Sequence, residues 1–253
     1  MPSFTEELVQ QLLDLSIESG DAILEIYHTD FEVRTKDDTS PVTEADEKAE
    51  AIILAGLDKL APGIPAIGEE AYTAGVRPDI SGGVFWLVDA LDGTKEFVNK
   101  RKEFTVNIAL IEDGAPVFGV VHAPALSRTF WGGSFGAYCQ EADSEKKSIE
   151  ARLPADDGVV VVASRSHRAG EEDFLKDYIV KNVINSGSSL KICLIAAGEA
   201  DLYPRLGPTS EWDIAAGHAV LAAAGGSITQ IDGTPFIYGK KDILNPHFVA
   251  KGR

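Results

Sequence analysis

Cysteine is nearly absent. Cys139 and Cys193 are the only two in 253 residues, far apart and in apolar contexts, which fits buried thiols in a reducing compartment and not a disulfide framework. Basic residues are also scarce: 23 Lys and Arg stand against 40 Asp and Glu, a formal net charge of −17 at pH 7. The mean field therefore repels phosphate backbones and anionic lipid, and nucleic acid is excluded as the principal partner. There is no apolar stretch of membrane-span length, no internal repeat and no low-complexity tract, and Met1-Pro2-Ser3-Phe4-Thr5-Glu6-Glu7 lacks the basic and apolar regions of a signal peptide. A soluble, cytoplasmic protein is expected. Loose peripheral association with the cytoplasmic side of the inner membrane stays open, as does the choice between monomer and homodimer.

The composition that remains, 44% hydrophobic and 25% charged, is that of a globular protein with one large domain or two small ones. Phe4, Leu8, Leu12, Leu15, Ile17, Ala22, Ile23 and Ile26 recur at helical spacing, and from Glu44 a second stripe (Ala45, Ala49, Ile52, Ile53, Leu57) runs to Pro62-Gly63. Val84-Phe85-Trp86-Leu87-Val88 reads as a strand buried on both faces. Strands at 104–111, 117–122, 127–131 and 137–140, joined by Gly and Pro turns, suggest an antiparallel meander. Beyond the polar stretch 141–150, strand and helix alternate: strands at 159–162, 183–184, 202–203 and 227–231, helices at 171–180, 190–197 and 213–224. The expected fold class is α/β, an α+β part over residues 1–155 followed by an α/β part over 156–253.

Four acidic pieces carry candidate chemistry: Gly68-Glu69-Glu70, Asp89-Ala90-Leu91-Asp92-Gly93-Thr94, Glu211-Trp212-Asp213, and Asp46 in the second helix. Taken singly, Glu69-Glu70 reads as solvated loop charge, Asp213 as a helix N-cap, and Asp46 as a solvent-facing acid. The 89–94 segment is different, because a buried strand delivers two carboxylates and then Gly-Thr into a helix start. Asp89 and Asp92 can converge on divalent cations, while the Gly93 and Thr94 N–H groups and the Thr94 hydroxyl point at a phosphate. Should Glu69, Asp89, Asp92 and Asp213 meet, each pair about 4 Å apart repels by roughly 4 kcal/mol at a near-surface dielectric. Two Mg²⁺ ions would cancel the four charges and leave positions for a phosphoryl oxygen and a water.

In this order the motifs resemble the Mg²⁺-dependent, Li⁺-sensitive inositol monophosphatase superfamily, with its Asp-Pro-hydrophobic-Asp-Gly-Thr signature and a later Trp-Asp before a helix. Within it the chain is most similar, along nearly its whole length, to bacterial 3′(2′),5′-bisphosphate nucleotidases of the sulfate-assimilation type. The matching segments are Ser40-Pro41-Val42-Thr43, Trp86-Leu87-Val88-Asp89, residues 91–97, residues 103–110, Ser164-Arg165-Ser166-His167, Gly187-Ser188-Ser189-Leu190-Lys191, Leu202-Tyr203-Pro204-Arg205, Trp212-Asp213 and Ala216-Gly217-His218-Ala219.

The resemblance implies the layered αβαβα sugar-phosphatase fold, two or three Mg²⁺ ions, and hydrolysis of a nucleotide bisphosphate at its 3′-phosphate. Adenosine 3′,5′-bisphosphate is the first candidate substrate and 3′-phosphoadenylyl sulfate the second. It assigns one metal to Glu69, Asp89 and the Leu91 carbonyl, and another to Asp89, Asp92 and Asp213. Asp46 and Thr94 would orient and deprotonate the attacking water, and Gly93 and Thr94 would hold the scissile phosphate, with metal ligands Glu69, Leu91, Asp92 and Asp213 lining the same site. Ser188, Lys191 and Arg205 would bind the 5′-phosphate and His167 the adenosine. Two positions depart from the pattern: Ala90 replaces the usual proline, and Gly68 is smaller than expected. An inositol or sugar monophosphatase is the nearest alternative, and a non-catalytic metal or nucleotide sensor a more distant one.

Overall fold

Two threonines start the two long helices. In the computed structural model, which describes residues 4–35, 41–164 and 170–253, the Thr5 side chain accepts the Leu8 N–H at 3.2 Å and opens α1 (Glu6–Tyr27). A short ribbon, β1 (Arg34–Thr35) and β2 (Pro41–Val42), leads to Thr43, which caps α2 (Glu44–Leu60). The helices pack together on one face of a sheet. Their apolar stripes are as the spacing predicts, except that Ile17 turns to solvent at 40% exposure.

That sheet comprises β3 (Ala66–Gly68), β4 (Val84–Asp92), β5 (Thr105–Glu112), β6 (Ala115–Ala123), β7 (Arg128–Gly133), β8 (Gly136–Glu141) and β9 (Lys147–Ser148), in that spatial order. Only β3–β4 is parallel, so the meander expected from the turns is present. Short helices α3 (Glu69–Thr73) and α4 (Thr94–Val98) follow β3 and β4. Alternate residues of β4 serve two cores: Trp86 and Val88 face α1 and α2, while Phe85 and Leu87 face the opposite layer.

A second sheet holds β10 (Val159–Ala163), β11 (Val180–Asn185), β12 (Leu202–Arg205), β13 (Ser227–Gln230) and β14 (Phe248–Lys251), in the order β11-β10-β12-β14-β13. Strands β10, β11 and β12 run parallel, and β14 pairs antiparallel with β12 and β13. Between the sheets lie α6 (Leu190–Ala196) and α7 (Glu211–Ala223), and α5 (Glu171–Leu175) covers the outer face against Val161, Leu202 and Val249. The layers are therefore αβαβα. Gly119 in β6 lets α7 close on the first sheet, since a Cβ there would lie 2.3 Å from the Ala216 carbonyl oxygen.

The helix expected over 171–180 ends at Leu175. Beyond it Val180, Val183 and Ile184 are β-branched and pair with β10 instead. The last long helix opens at Glu211, two residues earlier than its apolar pattern suggested, because Ser210 caps it. Strands β3 and β14 were not legible as periodic segments. No helix among the described residues is long and apolar enough to cross a membrane.

Candidate active site

A β-bulge assembles the acidic cluster. Asp89 pairs with Asn107 and Asp92 with Thr105, so three steps on β4 oppose two on β5. In a regular strand residues three apart face opposite sides; the extra residue turns Asp92 onto the side of Asp89. Both acids thus face the middle helical layer, and the strand runs through Asp92, four residues beyond the apolar run 84–88 read as the strand. Ala90 is buried within the bulge among the apolar residues facing α1 and α2.

From the first residue of α3, directly after β3, comes Glu69, and from the first turn of α7 comes Asp213. Oxygens of Glu69, Asp89 and Asp213 lie within 4.8 Å of one another. Asp213 is not the helix N-cap but the third helical residue, its Oδ2 accepting the Ser210 N–H at 3.0 Å in a capping box. Asp92 joins the group through Ser189: its Oδ2 accepts the Ser189 N–H at 2.7 Å and lies 3.0 Å from Ser189 Oγ, which in turn is 2.6 Å from the Asp213 carbonyl oxygen. Asn107 donates to Ser189 Oγ at 2.8 Å. Neither Ser189 nor Asn107 was assigned a role from sequence, although a buried amide inside the apolar run of β5 is a signal.

Burial and mutual repulsion push the Asp89 carboxyl well above the ordinary carboxylate range, desolvation first and then Glu69, Asp92, Asp213 and Asp46. Asp213 moves the same way, from desolvation and then Asp92 and Glu69. Hard carboxylate oxygens in such a group fit a divalent cation of the Mg²⁺ kind.

Asp46 is 3% exposed, not solvent-facing. Its Oδ2 accepts the Thr43 N–H and hydroxyl, both at 2.8 Å, and its Oδ1 accepts the Thr94 hydroxyl at 3.0 Å. The Leu91 carbonyl lies 3.2 Å from the same hydroxyl. One turn along α2, the buried Glu50 accepts the N–H groups of Glu70 and Ala71. Gly68 is explained by this neighbour, because a Cβ there would fall 2.5 Å from the Glu50 carboxyl carbon.

Beside Asp92 and Asp213 opens a cleft of about 150 Å³ lined by Gly93, Ser164, Ser188, Lys191, Tyr203 and Arg205, among others. Lys191 is 7% exposed and donates to the Ser188 carbonyl at 2.6 Å; burial pulls its pKa from 10.5 to about 8. Arg205 donates to the Pro208 carbonyl at 2.8 Å. Its buried Nε, and the buried Ser188 Oγ, have no hydrogen-bond partner. Two cations and two unpartnered polar atoms thus belong to residues lining one cleft, a composition suited to an anion. His167 lies outside the described residues.

Solved structures share this architecture. CysQ of Bacteroides thetaiotaomicron, described as a bacterial member of the inositol monophosphatase family, superimposes with a TM-score of 0.82 at 35% identity, covering 98% of each chain. The Thermotoga maritima IMPase TM1415 gives 0.80 at 25% identity over 98% of this chain and 92% of its own. The model of the inositol monophosphatase family matches residues 5–252, and the chain belongs to that family. Among curated relatives, the 3′(2′),5′-bisphosphate nucleotidase CysQ of Salmonella typhimurium is 44% identical over 95% of this chain and 98% of its own. The protein of the same description from Escherichia coli K12 is 42% identical over the same shares.

Proposed function

We propose that the protein is a 3′(2′),5′-bisphosphate nucleotidase that hydrolyses the 3′-phosphate of adenosine 3′,5′-bisphosphate to AMP and phosphate, with Mg²⁺ as cofactor. The observation that carries the substrate assignment is the anion cleft. Lys191, Arg205 Nε and Ser188 Oγ offer charge and unmet donors to a second phosphate, which an inositol monophosphate does not have. The names of the bacterial relatives agree with this reading.

Glu69, Asp89, Asp213, Asp92 and the Leu91 carbonyl would hold the cations, as the family's dependence on Mg²⁺ leads one to expect. When bound, Mg²⁺ supplies Lewis-acid stabilisation of phosphoryl and leaving oxygens and favours hydroxide over water. The chain's own part is a proton path. With its hydroxyl proton directed at Asp46 Oδ1, Thr94 Oγ presents lone pairs to an attacking water and orients it. As the water loses a proton to Thr94 Oγ, Thr94 passes its own to Asp46 Oδ1, while the two Thr43 donors hold Oδ2 in place. Gly93 and Thr94 offer N–H groups to the scissile phosphate. In this reading residues 1–155 carry out the chemistry, and 156–253 recognise the nucleotide, with Asp213 crossing between them.

Arg205→Ala tests the assignment. The expected result is a raised KM for adenosine 3′,5′-bisphosphate, with adenosine 3′-monophosphate turned over as before. An equal loss on both substrates would refute the second-phosphate role.

A further inference from the structure

Glu50 takes no part in the proton path, yet it is a carboxylate with 4% exposure, one helical turn beyond Asp46. Its Oε2 accepts the Glu70 N–H and its Oε1 the Ala71 N–H, each at 2.8 Å. Two consecutive amides directly after Glu69 are thereby gripped by one planar group. The position before Glu69 is shaped by the same carboxylate: a Cβ on Gly68 would meet the Glu50 carboxyl carbon at 2.5 Å and its oxygens at 2.6 and 2.9 Å. Residues 68, 70 and 71 are all moulded to Glu50, and Glu69 stands between them with an oxygen in the cluster with Asp89 and Asp213.

We propose that Glu50 is the positioning residue of the cation site: it locks the backbone on which Glu69 is presented, and Gly68 is required so that it can. The inference rests on the reading of Glu69, Asp89 and Asp213 as ligands of a divalent cation. Ligand carboxylate oxygens within 4.8 Å of one another repel when no cation is bound, so a Glu69 on a looser backbone would shift and binding would have to reorganise it. A tether to two consecutive backbone N–H groups keeps Glu69 in place whether or not the cation is present. A glutamine cannot substitute, since it has one acceptor oxygen for two N–H groups and turns its own NH₂ toward the second.

The test is calorimetric titration of Mg²⁺ into the metal-free protein, alongside the Mg²⁺ dependence of adenosine 3′,5′-bisphosphate hydrolysis, for wild type, Glu50→Gln, Gly68→Ala and Asp89→Asn. Glu50→Gln and Gly68→Ala should each weaken Mg²⁺ binding about 10- to 100-fold, while kcat at saturating Mg²⁺ and KM for the nucleotide stay within about threefold. Gly68→Ala keeps the carboxylate and blocks its seat, so it decides the matter even if Glu50→Gln does not fold. Wild-type Mg²⁺ affinity in these variants, or a fall in kcat at saturating Mg²⁺ with affinity unchanged, overturns the proposal and leaves the cation site intact. A wild-type titration that Asp89→Asn does not alter overturns the cation site and the tether together.

Discussion

Replacing Lys191 by Met should move binding and stability in opposite directions. Folded, the ammonium has a pKa near 8 against 10.5 for the free side chain, with burial the main cause and Arg205 adding to it. The folded value lies below the unfolded one, so the folded state is penalised wherever Lys191 is protonated. The penalty is fully present below pH 8, on the order of 3 kcal/mol, and disappears as pH rises to about 10.5. Met matches the volume without the charge, so at pH 7 the variant should unfold at the same or a higher denaturant concentration, the lost bond to the Ser188 carbonyl offsetting part of the gain. Binding should suffer. A hydrogen bond to a charged group contributes about 1.5–3 kcal/mol net, which is roughly a 10- to 150-fold rise in KM for adenosine 3′,5′-bisphosphate, with kcat retained. Adenosine 3′-monophosphate should be little affected. In the wild type, KM for the bisphosphate should also climb as pH passes 8, because the empty pocket then loses its proton, and this dependence should vanish in the variant. Steady-state kinetics on both substrates from pH 7 to 9, with urea unfolding at pH 7, make the comparison. A destabilised variant with equal losses on both substrates would refute the reasoning.

Thr94→Ala should lower kcat by roughly 10²- to 10⁴-fold, the usual worth of a positioned acid–base group, while calorimetry finds Mg²⁺ affinity nearly unchanged. Asp89 and Asp213 have pKa values raised above the unfolded 3.8; the unfolded state sheds these protons first, so their contribution makes the metal-free protein less stable as pH rises above about 4. Mg²⁺ should accordingly raise the melting temperature more at pH 7.5 than at pH 5, and equal shifts at both would contradict the cluster.

Much of this was legible along the chain because it is local. The two-faced burial of 84–88, the meander and the acidic motifs are patterns within a few residues, whereas the order of the layers and the expected ligand set came from the family resemblance that the motifs carry. What escaped depends on partners distant in sequence. The bulge that turns Asp92 beside Asp89 needs the β5 register, and the importance of Glu50 and Gly68 appears only when α2 is laid against the start of α3. Ser189 reads as one residue of a Ser-Ser pair until α6 and α7 bring it between Asp92 and Asp213. The helix expected through Val180 ends at Leu175 because the β-branched residues from Val180 on pair in parallel with β10. Lys191, which resembles a surface lysine in sequence, is buried because α6 packs its first turn into the seam between the sheets.

The most direct measurement is phosphate release with Mg²⁺ from adenosine 3′,5′-bisphosphate and from inositol 1-phosphate, side by side, with Asp89→Asn as the control for contaminating phosphatase. The account predicts strong preference for the nucleotide and its loss in the variant. Preference for inositol phosphate would contradict the roles given to Ser188, Lys191 and Arg205, and no release from either substrate would contradict the assignment as a phosphatase.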